Sequence, residues 1–372
     1  MTRLLAAVAL SAVCYAQQGR IVRSKLSSIQ PVGRLSAKAS AIVVASFRDA
    51  VQSGPLVSGR LRVERTLKGP ILPNEEVFVQ ANVPGIGVPN SVQVSGLWFL
   101  SGEPGSWSLM PVNSTSQDDF ADMYLRVPIA SLQNVPGSAS VNEKLAGELA
   151  SALLTPSADS SIADQMAFLA GEMSPSRVMQ GIYGTLADAS DLHLQAIGVS
   201  GFIESGDAAL SREAIARLAA NAELRNLPAF FPGSSLCNSR PSDPESIRLL
   251  ATIVIPASKL SIARCAAYAL RAVHAPAALP YLAALLDHSD RELRYEGVMG
   301  LASFANNLPI HDPKTSTAMM DWLVPLPGTP RFATPETREH FPAYATFGQD
   351  EARYVNFWTR WWRDHRSELT GQ

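Results

Sequence analysis

SIARCAAYALRAVHAPAALPYLAALLDHSDRELRYEGVMGLASFA, residues 261–305, is the stretch whose pattern decides the fold. Ile262, Ala266, Ala269, Leu270 and Val273 fall at helical spacing, which predicts a helix over Ser261–Val273 with one apolar face. His274-Ala275-Pro276 ends it, because proline lacks the N–H that a helix interior uses. Pro280 suits the first turn of a short second helix, with Leu282, Leu285 and Leu286 on its buried side. Asp287-His288-Ser289-Asp290 forms the next turn, and Ser289 and Glu292 have the spacing of a capping box for a third helix. The inner face of that helix carries Leu293, Gly297, Gly300 and Leu301. Glycine lowers helix propensity there, and is tolerable where neighbouring helices approach closely.

Arg264 and Arg294 lie thirty residues apart, and Ala267 and Gly297 repeat the offset. A period in this range, in helices joined by tight turns, is the mark of a solenoid. With Arg264, Ala266, Ala267 and Leu270, then Pro276, Leu279-Pro280-Tyr281-Leu282, Leu285-Leu286-Asp287, Asp290 and Arg294, the stretch resembles the HEAT repeat family, in its short bacterial form related to phycobilisome-lyase repeats. The likeness is clear over Leu260–Ala305 and weaker over Asp191–Asn226. It implies a helical array that serves in protein contact. Arg264, Asp290 and Arg294 are expected to form a ladder of ion pairs and caps, with a ligand-binding role as the alternative.

Upstream the pattern changes to strands. Ala41–Phe47 (AIVVASF) is a β-branched and apolar run. Val57–Leu67 alternates, with Val57, Gly59, Leu61, Val63 and Arg65 on one side and Ser58, Arg60, Arg62 and Glu64 on the other. Glu76–Gln80, Val92–Leu100 and Ser106–Pro111 follow, and about five short strands fit a small antiparallel barrel or sandwich. The run Arg62–Gly69, followed by Gly96–Leu100, resembles an OB-like barrel common in secreted bacterial proteins and similar to netrin and tissue-inhibitor-of-metalloprotease modules. The cysteines of the animal inhibitors are missing, so inhibitor activity is not carried over. Trp98 and Trp107 are expected in the barrel core, the alternative being a face that binds oligomers.

The expected architecture is α+β with two domains. A barrel over 38–127 is followed by a linker over 128–140, a HEAT-like α-helical array over 141–325, a Pro-rich loop over 326–349 and an aromatic helix over 350–369. Tyr354, Trp358, Trp361, Trp362 and His365 cluster on that last helix, as in a cap for an open array end; a membrane or sugar contact is the alternative.

Arg3 followed by the short apolar run Leu4–Val13 predicts a signal peptide over 1–16, hence export to the periplasm or beyond, with no membrane-spanning helix left after cleavage. Cys237 and Cys265 then remain. Either they pair in the oxidising compartment, or Cys265 is a small buried residue and Cys237 a free thiol. The formal net charge of −2, without a basic block, argues against broad electrostatic capture of nucleic acid.

Asp118, Asp119 and Asp122 lack the spacing, glycine and distant glutamate of a calcium loop, and suggest a solvated acidic turn. No pair of histidines has metal-ligand spacing, and no nucleophile elbow, P-loop or dinucleotide fingerprint precedes a helix. No catalytic residue, cofactor or metal ligand is assigned. The expectation is a non-enzymatic scaffold or adaptor with a protein or peptide partner. The alternative is an exported hydrolase or glycan-binding protein with its site between barrel and array.

Overall fold

The run AIVVASF becomes the hub of a barrel in the structure, a computed structural model. It describes residues 30–83, 94–112, 120–155, 160–227, 236–237, 239, 241–308 and 331–370. The segment 1–16, read as a signal peptide, lies outside the described residues, as do Asp118 and Asp119. β1 (Ala41–Ser53) pairs antiparallel with β2 (Leu56–Lys68) on one side and with β4 (Val94–Glu103) on the other. β2 pairs with β3 (Glu76–Asn82), β3 runs parallel to β5 (Ser106–Leu109), and β5 pairs back on β4. The strands thus close on themselves, with a short β6 (Tyr124–Leu125) added to β4. This connectivity fits an OB-like barrel, and a mostly helical region follows it.

The chain divides into two compact units, one running from Gln18 to Gly201 and the other from Phe202 to Gln372. In the first, Val43, Ala45 and Phe47 join Val57, Leu61, Val63 and Trp98 in the barrel core. Trp98 is fully buried and donates from Nε1 to the Ala45 carbonyl at 2.9 Å; Trp107 is buried as well. Phe120 sits 4.8 Å from Phe47, centroid to centroid, and Tyr124 stacks on Trp98 at 4.7 Å. Phe120 and Met123 belong to a single 3-10 turn, in a stretch whose sequence suggests solvated surface. They are buried because the barrel core takes them as its plug.

Ile42 and Val44 alternate with the core residues and are also fully buried. α1 (Val32–Lys38) packs on β4, and α2 (Val141–Leu153) packs on β2. A strand covered on both faces explains a continuous apolar run rather than an alternating one. The β1–β2 register contains a bulge: Ala45 faces Val63, but Val44 faces Arg65, leaving Glu64 as an extra residue. Arg65 therefore leaves the inward set in which simple alternation places it and lies opposite Val44, on the side that α2 covers.

α2 opens on a capping box, in which the Glu143 amide donates to Ser140 Oγ at 3.3 Å and the Ser140 amide donates to Glu143 at 2.7 Å. It packs on α3 (Ser160–Glu172) and α4 (Arg177–Ala187), and α5 (Leu192–Glu204) follows. Buried Gln165 fixes the start of α1, accepting from the Val32 amide and donating to the Gln30 carbonyl, both at 2.8 Å.

The second unit holds α6 (Ala208–Ala220), α7 (Pro244–Leu249), α8 (Leu260–Arg271), α9 (Leu279–Leu285) and α10 (Arg291–Asn306). α10 packs on both α8 and α9. Its N-cap is Asp290, whose Oδ1 accepts from the Glu292 and Leu293 amides at 3.1 Å; the Ser289–Glu292 box does not form. The helix starts after Asp290 because the carboxylate reaches two free amides at once.

A Cβ on Gly297 would lie 2.7 Å from the Leu282 carbonyl oxygen, and one on Gly300 would lie 2.6 Å from a Leu282 methyl. α9 and α10 thus cross where only a hydrogen fits. Gly297→Ala is expected to destabilise the unit by about 2 kcal/mol in urea unfolding, although alanine is the better helix former.

After α11 (Pro335–Glu339) and α12 (Tyr344–Gln349), α13 (Glu351–Thr370) packs on α9 and α10. Tyr354, Phe357, Trp358 and Trp361 are buried, and Trp358 Nε1 donates to the His340 carbonyl at 2.7 Å. Most of the aromatic stripe is thus used in packing inside the unit.

Candidate functional site

The residues singled out from the sequence meet at the turn between α9 and α10. Arg264 on α8 donates to Asp290 at 2.7 and 3.3 Å, and its other terminal nitrogen lies 2.8 Å from Glu292. His288 Nδ1 accepts from the Asp290 amide at 2.9 Å. Arg294 does not join this pair. It reaches the Glu351 carboxylate at the start of α13, and donates to the His288 and Ser289 carbonyls. The Tyr344 hydroxyl on α12 lies 3.5 Å from both Glu292 and Arg291. These charges tie α8, α10, α12 and α13 together.

Burial pushes the Asp290 carboxyl up, but hydrogen bonds from Arg264 and from the Leu293 and Glu292 amides outweigh it, so the carboxyl titrates below its ordinary range. A carboxyl lowered by folding stabilises the protein above its unfolded value of about 3.9, and loses that contribution as pH falls through the folded value. Asn keeps the cap but not the charge. Asp290→Asn is therefore expected to cost about 1 kcal/mol at neutral pH, with the difference shrinking below about pH 4 in urea titrations.

Sequence reasoning missed Glu351 and Tyr344, which come from segments more than fifty residues downstream of α8. It also missed the ion pair of Arg271 with Glu296, 2.9 Å apart and both nearly buried. Burial pushes the Glu296 carboxyl up against the pull of Arg271. Arg271 also lies over the Tyr268 ring, 4.7 Å from its centroid. Cys237 and Cys265 are joined by a disulfide, which ties the segment before α7 to α8.

Two depressions among the described residues bear on function. One, of about 190 Å³, is lined by Ala251, Ile255, Pro256, Tyr281 and His288, beside the wide π turn Leu250–Val254. It is smaller than the usual small-molecule pocket of about 300–1,000 Å³. The other, of about 310 Å³, lies on the barrel and is lined by Ile71, Glu75, Glu76, Phe78, Pro104 and Trp107. It opens where β3 loses its partner: β5 pairs with Val79 and Gln80, and the described ladder does not extend to Glu76–Phe78. Phe78 is 52% exposed there, so its ring lines the depression from the solvent side.

Among the described residues, no three His, Cys, Asp or Glu side chains converge as metal ligands, and no helix is long and apolar enough to cross a membrane. Comparison of the chain with protein-family models, curated proteins and solved structures finds no match.

Proposed function

We propose that the chain is an exported, non-enzymatic interaction protein, in which an OB-like barrel and a HEAT-like helical array present surfaces to another protein. The observation that carries this reading is the packing of α8, α9 and α10. The tie from Arg264 to the Asp290 cap, and Leu282 against which Gly297 and Gly300 pack, fall on residues that carry the resemblance to HEAT repeats. Arrays of that kind use their extended surfaces for protein contact. Export is supported by the Cys237–Cys265 bond, because disulfides persist in oxidising compartments. It is supported also by Arg3 and the apolar run after it.

The test is to isolate the C-terminally tagged full chain from envelope and cytosolic fractions of its native host. Thiol alkylation and mass spectrometry are then read together. The expected result is an envelope protein whose Cys237 and Cys265 resist alkylation and which carries a stoichiometric protein partner. A cytosolic protein with free thiols would refute export, and enrichment of glycan or lipid without protein would refute the interaction reading.

A further inference from the structure

We propose that the gap between β3 and the β4–β5 turn seats a short, extended, basic segment of a partner protein, added as a strand beside β3. The inference rests on the interaction reading above and names its surface and the chemistry of its ligand.

The backbone supplies the first part of the argument. In an antiparallel pair, alternate residues exchange both hydrogen bonds with the facing strand. The Val63 amide donates to the Glu75 carbonyl at 2.9 Å, and at the far end the Val83 amide donates to the Pro55 carbonyl at 2.6 Å. The register Leu61↔Val77 and Gly59↔Val79 continues that phase. Val77 and Val79 thus turn their polar groups to β2, whereas Glu76 and Phe78 turn theirs the other way. β5 takes up that side from Val79 onward. The Glu76 carbonyl and the Phe78 amide face the gap ahead of it. Such groups on a strand edge are a template for an incoming chain.

The side chains supply the second part. Glu75 and Glu76 both line the gap, and Glu103 stands at the turn beside it, opposite Ser106. Arg62 lies opposite Glu76 on β2, and Arg60 approaches Glu76 only to 3.9 Å with both side chains more than half exposed, so these cations are weakly held and leave the three carboxylates in excess. Phe78, Trp107 and Pro104 give the same space apolar walls. Carboxylates beside aromatic and proline surfaces match a lysine or arginine. The charged head meets Glu76 while the aliphatic stem lies along Phe78.

The test uses the full chain with its disulfide intact and a phage-displayed library of random peptides as the probe. Selected peptides are expected to carry Lys or Arg next to β-branched or aromatic residues. Phe78→Pro removes the gap-facing amide without breaking the β2 ladder, and Glu76→Lys reverses the charge. Each is expected to weaken binding at least about tenfold. Hydrogen exchange of the Phe78 amide is expected to slow at least about tenfold when a selected peptide is added.

Peptides that lack basic residues, that bind both variants undiminished, or that leave the Phe78 amide unprotected would overturn the proposal. In those cases the wider interaction reading stands with another surface. Failure to select any peptide, together with absence of a protein partner in the host, would remove both. Should Phe78→Pro fail to fold, the charge reversal and the exchange measurement decide.

Discussion

Arg65→Ala is expected to lower the stability of the barrel-containing unit by about 3 kcal/mol, on the order of 6–12 °C in melting temperature. Arg65 is the joint between β2, α2 and the chain that connects barrel to helices. It donates to both Glu148 oxygens, at 2.9 and 2.6 Å, to the Pro128 carbonyl at 3.2 Å, and to the Ile129 carbonyl. The Glu148 side chain is only 8% exposed, so removing the guanidinium leaves a buried carboxylate and two carbonyls without their donor. The cost comes chiefly from that orphaned charge rather than from the lost attraction. Arg65→Lys keeps the charge but not the planar fork, and is expected to recover part of the loss. The double variant Arg65→Ala with Glu148→Leu is expected to recover more, since no buried charge remains. A double-mutant cycle read by urea unfolding checks all three. A loss under about 1 kcal/mol for Arg65→Ala would mean that the pair is a solvated surface contact.

Loss of the Cys237–Cys265 bond has the other large expected effect. The two residues are 28 apart, and closing a loop of that size restricts the unfolded chain by about 3.5 kcal/mol. Cys265→Ser is expected to destabilise the unit from Phe202 to Gln372 by about that amount in thermal or urea unfolding. The control lies in the reductant. Dithiothreitol should shift the parent protein to the position of the variant and leave the variant where it was. A variant that responds to reductant, or a parent that does not, would contradict the bond.

Much of this fold was legible in local pattern. The alternation of Val57, Leu61 and Val63 located a half-buried strand, and AIVVASF marked another, whose burial on both faces came only with the structure. The helical spacing over 261–305 gave three helices, and glycines at 297 and 300 marked a close crossing that the Leu282 contacts bear out. What was not legible depends on partners distant in the chain. A bulge at Glu64 is set by pairing with β1, so alternation within β2 alone puts Arg65 on the wrong face. Glu148, which receives it, lies 83 residues away. Phe120 sits among acids, and its burial follows from the open end of a barrel built by residues 41–109.

The candidate sites divide in the same way. Arg264 and Asp290 could be paired through their place in the repeat, whereas Arg294 finds Glu351 only because α13 folds back on the unit. The barrel gap had no sequence signal beyond Phe78, the large apolar residue on the polar side of β3. Strand boundaries, not composition, create it.

Site-specific photo-crosslinking in living cells of the native host tests the interaction function most directly. The photoreactive benzoyl-phenylalanine would replace, one at a time, Phe78 on the barrel, Leu260 on α8 and Arg363 on α13, all exposed. The expected result is a discrete covalent adduct with one protein from Phe78, reduced when Glu76→Lys is added. Absence of a protein adduct from all three positions, or adducts with lipid or glycan in its place, would contradict a protein-binding role.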